Sequence, residues 1–172
     1  MADERRHPQV VNLTEVESRS IGMGSKFGAS IKQIALPTGA RGIGCSWYEV
    51  PPGKAAFPHH FHCANEEAIF VLDGEGTMRI GSDTVAVRSG DYITFPIGPQ
   101  SAHQLRNTGT QALRYLCLSI MSTAEVVGYP DSKKIGAAAA PSMNAALKGE
   151  GWVRLLAFEG TSANYYDDED VG

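Results

Sequence analysis

An all-β domain is what this 172-residue sequence predicts, on three observations. Nineteen glycines and nine prolines fall as punctuation between short apolar runs, and no run is long and periodic enough for an extended helix. The stretches "TMRIG" and "YITFP" partly alternate apolar with polar residues, as half-buried strands do, whereas "AIFVL" is apolar on both faces and is expected to be covered on both. The breaks between runs, "PPG", "DGEG", "GSD", "SGD" and "NTGT", supply left-handed glycines or prolines of fixed φ. Strands joined by turns this tight pair antiparallel, and several in succession close into a sandwich or barrel.

In chain order, residues 1–20 form an arm with no evident partner, and strands are expected over 26–36, 43–50, 56–62, 66–72, 77–80, 84–87, 92–95, 102–107 and 112–121. "VVGYPDSKKIG" then reads as strand, turn at Pro130 and Asp131, and strand. "PSMNAALKG" reads as a short helix, with Ser142 as N-cap, an Ala/Leu-rich body and Gly149 as stop. The last seven residues are expected to fray. The chain therefore divides into an arm (1–20), a barrel domain (21–128) and a C-terminal extension packed on the barrel and ending in an acidic tail (129–172).

Composition removes several classes of function. A net charge of −4 and the acidic end "YYDDEDVG" leave no electrostatic case for a nucleic-acid binder, which needs clustered Lys and Arg. The opening "MADERRHPQV" mixes both signs without an apolar core, so it reads as neither signal peptide nor membrane span, and a cytoplasmic location is expected. Cys45, Cys63 and Cys117 are odd in number and lack C-x-x-C pairing, which argues for reduced thiols. "GMGSKFG" fits neither the dinucleotide nor the Walker A spacing and reads as a loop or strand edge.

Chemistry concentrates in "HHFHCANEE", residues 59–67. On a strand, His60 and His62 project from one face, while His59 and Phe61 project from the other. Two imidazoles on one face are a ready metal pair. Either Glu66 or Glu67 could return beside them on the next strand, and His103, some forty residues on, could close the set.

These residues also carry a resemblance. Gly53, His60, His62, Glu67 and Gly74 follow the pattern of the first motif of the cupin family, and Gly90, Pro96, Gly98, His103 and Asn107 follow the second, with four residues between Gly98 and His103 where two are usual. The chain resembles a single-domain cupin of the conserved-barrel type. The resemblance implies a double-stranded β-helix, a jelly-roll barrel, with one divalent metal held by His60, His62, Glu67 and His103, and it favours Glu67 over Glu66. Three neutral imidazoles and one carboxylate suit Mn, Fe, Co, Ni or Zn, and an octahedral ion would keep two positions open.

An open metal site implies a metal-dependent enzyme on a small polar metabolite, with sugar-phosphate isomerisation as the first reaction and dioxygenation as the second. A non-catalytic ligand-binding or sensing role is the alternative, because one fold hosts many functions. No residue stands out as catalytic base, and no organic cofactor motif is present. Arg79, Arg88 and Arg106 lie where they could meet an anionic substrate, though a solvated strand face is the commoner fate of such residues. Trp47, Tyr92, Phe95 and Trp152 read as core or dimer-contact aromatics. A homodimer is expected, because the outer face of "RYLCLSIM" gains from cover.

Overall fold

The structure is a computed structural model and describes residues 7–142, 145, 149–165 and 167–168. It is almost wholly β. A six-stranded antiparallel sheet runs in the order β1 (Arg19–Met23), β2 (Phe27–Gln33), β3 (Ile43–Val50), β10 (Leu113–Ile120), β5 (Glu67–Asp73) and β8 (Tyr92–Phe95). A second sheet runs β13 (Val153–Phe158), β12 (Lys134–Ala139), β11 (Ala124–Tyr129), β4 (Phe61–His62), and a third runs β7 (Asp83–Arg88), β6 (Glu75–Ile80), β9 (His103–Arg106). Neighbours such as β10 and β5, or β10 and β3, are far apart in sequence, and such crossovers are what a jelly-roll barrel requires.

Inward-facing residues of the sheets make one core, with Ile31, Val50, Val71, Met78, Leu113 and Tyr115 all buried. Burial follows the two-residue period over parts of several strands. In β5, Ile69 and Val71 are 5% and 0% exposed, whereas Phe70 and Leu72 remain 37% and 39% exposed. The expected double cover of "AIFVL" is thus half met: among the described residues the outer face of β5 is covered at Ala68 but left partly open at Phe70 and Leu72.

Three expectations change. β1 begins inside the arm that was given no partner and pairs along its length with β2. The strand expected over 56–62 shrinks to Phe61–His62, preceded by a single bridge between His60 and His103. Pro58 has no N–H to give a ladder and fixes its own φ, so the chain before His60 crosses the barrel irregularly. "WVRLLAF", given no element, supplies β13, paired with β12 from Val153 to Phe158. "GMGSKFG" forms the turn of the β1–β2 hairpin. The helix expected over 141–149 falls mostly outside the described residues, although the Ala145 N–H donates to Ser142 Oγ at 3.2 Å, as an N-cap bond would. The end expected to fray lies largely outside them too. No helix among the described residues is long and apolar enough to cross a membrane.

Two glycines and one asparagine hold the frame of the site. Gly74 has φ +83°, and a Cβ there would lie 2.7 Å from the Ala112 carbonyl oxygen, so the β5–β6 turn excludes any side chain. Gly98, at φ +110°, donates its N–H to the His62 carbonyl at 2.8 Å and so ties the loop after β8 to β4. Asn107 is fully buried; its Nδ2 donates to the carbonyls of Val50 at 2.7 Å and Gln111 at 2.8 Å, and its Oδ1 accepts the Gly109 N–H at 3.0 Å. Asn107→Ala leaves the buried Val50 carbonyl, and the more accessible Gln111 carbonyl and Gly109 N–H, without this partner and is expected to cost about 1–3 kcal/mol, read as a lower midpoint of denaturant unfolding at unchanged slope.

Candidate metal centre

His60 and His62 on the segment that forms β4, Glu67 at the start of β5 and His103 at the start of β9 face the same cavity. β5 aims Glu67 inward in phase with Ile69 and Val71, while the pairing of β4 with β11 aims His62 toward it. The reciprocal backbone bonds between His60 and His103, 3.1 Å and 2.7 Å, bring those two side by side. Donor atoms of His60, His62 and Glu67 all lie within 4.8 Å of one another, a spacing that one ion can span. Glu67 Oε2 stands 3.3 Å from His62 Nε2 and 3.5 Å from His103 Nε2. Glu66 is exposed and faces away.

The far nitrogen of each imidazole meets an oxygen. His60 Nδ1 is 2.8 Å from the Pro58 carbonyl and His103 Nδ1 is 3.1 Å from that of Ser101. A carbonyl oxygen only accepts, so both Nδ1 atoms carry the proton and both Nε2 atoms keep a lone pair. His62 Nδ1 lies 3.4 Å from Glu125 Oε2. Both ring nitrogens of His62 are buried, close to carboxylates, yet without hydrogen-bond geometry. Phe95 stacks on His103 at 3.7 Å and fixes its ring plane.

Electrostatics follow from crowding. Burial, reinforced by His103 and His62, lowers the His60 pKa to about 4, so this imidazole is neutral at pH 7. Burial opposes charge on Glu67 as well, but His103 and His62 outweigh it and hold the carboxyl well below its usual range. At His62 burial is outweighed in turn by Glu67 and Glu125, which raise its pKa. Burial also lifts the phenols of Tyr48 and Tyr115 and the thiol of Cys117, with the Glu67 charge adding to each, so all three stay protonated.

Glu125 was not expected at the site. Its carboxylate accepts the backbone N–H groups of Cys63, Ala64 and Asn65 at 3.0, 3.0 and 2.8 Å, holding the link from His62 to Glu67 in shape. The available signal was phase, since Glu125 shares a strand face with Val127 and Tyr129. His59 is buried but stands apart, its Nδ1 3.6 Å from Asp131, whose other oxygen takes Arg79 at 2.8 Å. The three cysteines are unpaired.

A cavity of about 260 Å³ opens onto all four residues, walled by Tyr48, Phe57, Ile69, Tyr115, Val127 and Tyr129. Tyr48 and Tyr115 stack at 5.0 Å and 6°, and the Tyr129 ring lies 6.2 Å from His60 at 29°. Behind His62 and Glu67 a second cavity of about 340 Å³ reaches Ser46, Ser119 and Glu125. Among the described residues, neither cavity is lined by Lys or Arg.

Fold and site together define a cupin, and comparison with known proteins agrees. Residues 46–119 match the family described as Cupin domain. The chain is 32% identical over 97 residues to an uncharacterised protein of Methanocaldococcus jannaschii, covering 55% of this chain and 75% of that one. It is 29% identical over 76 residues to quercetin 2,3-dioxygenase of Bacillus subtilis, covering 44% of this chain but 23% of that enzyme. A cupin-superfamily sugar phosphate isomerase from Silicibacter pomeroyi superposes with a TM-score of 0.74 at 19% identity, over 92% of this chain and 98% of that one, a likeness of fold. The chain belongs to the cupin family.

Replacing Glu125 with Ala removes a charged acceptor from three adjacent N–H groups. The expected outcome is a loss of about 2–3 kcal/mol of stability, with faster hydrogen exchange confined to residues 63–65.

Proposed function

We propose that this cupin is a metal-dependent enzyme in which His60, His62, Glu67 and His103 hold one divalent ion, of Mn, Fe, Co, Ni or Zn, beside a small-molecule site. The carrying observation is the anchoring of the far imidazole nitrogens on oxygen acceptors, which turns the Nε2 lone pairs of His60 and His103 toward the Glu67 carboxylate. The orphaned nitrogens of His62 fit the same reading, because a cation between them and Glu67 satisfies both. A bound ion supplies Lewis acidity toward a substrate carbonyl, enol or hydroxyl oxygen, chemistry common to the isomerase and dioxygenase readings.

The protein's own contribution is positional. Pro58 and Ser101 fix tautomers, Glu125 holds the link that follows His62, and aromatic walls line the cavity onto which the four donors open. Tyr48 and Tyr115 offer neutral hydroxyls on the same cavity and are the groups placed to donate a proton to a substrate oxygen.

Elemental analysis is the first test. Purified protein is expected to carry one metal per chain, and a His60→Ala, His103→Ala double variant none; full metal in that variant overturns the ligand set. A ligand-induced rise in Tm with no turnover under any of the five metals would assign the protein to the binding class instead.

A further inference from the structure

We infer that the substrate is a small, flat, neutral molecule with two oxygens on neighbouring or alternate carbons, such as an enolisable 1,3-diketone or a hydroxy-ketone, which binds as its monoanion, and that it is not a phosphate ester. This rests on the metal-dependent reading above.

Charge is the first argument. Three neutral imidazoles and one carboxylate leave a dication with one net positive charge, which a monoanionic chelate cancels. A phosphate monoester carries about two negative charges at neutral pH and would overfill the site. The surplus finds no partner. Phosphate sites are built from Arg or Lys, from helix N-termini, or from nests of backbone N–H groups. Neither cavity is lined by Arg or Lys among the described residues. Arg79 is engaged by Asp131 at 2.8 Å, Arg88 and Arg106 are exposed off the lining, and the Lys134 ammonium sits 5.4 Å from the Tyr129 ring centre rather than on the wall.

Shape is the second argument. The cavity, at about 260 Å³, lies below the usual range for drug-sized ligands, which begins near ~300 Å³. Its walls are ring faces and branched aliphatics, with Tyr129 roughly parallel to His60 and the Tyr48–Tyr115 stack beside Phe57, 5.8 Å from Tyr48. Such faces favour a planar guest. The hydroxyl-rich chain of a sugar would leave most of its polar groups unpaired against Ile69, Leu105 and Val127.

Binding is written as a proton balance: the neutral guest loses one enolic proton to buffer and binds through both oxygens. The test uses protein loaded with Co²⁺, whose visible spectrum reports coordination without turnover. Acetylacetone and maltol are expected to change that spectrum, with one proton released per guest by calorimetry in buffers of different ionisation enthalpy. Glucose 6-phosphate, fructose 6-phosphate and inorganic phosphate are expected to bind about a hundredfold more weakly. Tyr129→Ala should weaken maltol about tenfold while leaving Co²⁺ content unchanged. Val127→Lys should strengthen phosphate-ester binding.

Sugar phosphates that match the chelators, no response to either class, or chelator affinity indifferent to Tyr129→Ala would each overturn the substrate assignment while leaving the metal centre intact. Failure of the metal reading looks different: Co²⁺ content or spectrum is then unaltered by His60→Ala.

Discussion

A buried carboxylate ringed by imidazoles is the constraint on which this barrel is organised. Glu67 cannot keep its charge away from water unless something positive sits against it, and the protein brings His62 and His103 within 3.3 and 3.5 Å to do so. Of these, His103 must be brought to the site from a distant segment, β9. Hence the reciprocal backbone bonds of His60 with His103, the Gly98 tie to β4 and the Glu125 clamp on residues 63–65. Without an ion the cluster shares protons unevenly, with His60 neutral and His62 biased toward charge.

Much of this was legible beforehand because it lies in local pattern. β3 and β8 run over the residues expected of them, since each is bounded by turn residues whose φ admits no continuation. Glu67 rather than Glu66 faces the histidines because the strand period leaves one choice once Gly74 fixes the turn. The less legible parts depend on partners distant in sequence. β13 has four consecutive exposed residues and alternates too weakly to announce itself; it exists because β12 offers an edge. The 56–62 run looked like strand by composition, but Pro58 broke it, and only His60 onward found a partner. Glu125 was invisible for the same reason: nothing near it in sequence needs a carboxylate, and its donors lie some sixty residues earlier.

The walls of the cavity tell a different story from its floor. The floor is polar and charged, while the walls are tyrosine, phenylalanine and aliphatic side chains, with the cations of the chain spent elsewhere, Arg79 on Asp131 and Arg114 on Glu49 and Asp73. That contrast is a selection rule in its own right, because a dry wall penalises any guest whose polarity extends beyond the atoms that reach the floor.

The strand β11 links these levels. His60, His62, Glu67 and His103 all fall inside the segment shared with the cupin family, 46–119, whereas Glu125, Val127 and Tyr129 lie beyond it on a strand that meets the barrel through two residue pairs with β4. Val127 and Tyr129 are thus a part of the cavity wall carried outside the shared segment, while Tyr48, Phe57, Ile69 and Tyr115 lie within it beside the four polar residues. A lineage can hold its donor set constant and rewrite one short strand to change what it admits, and the same strand is where an engineer would graft a new specificity.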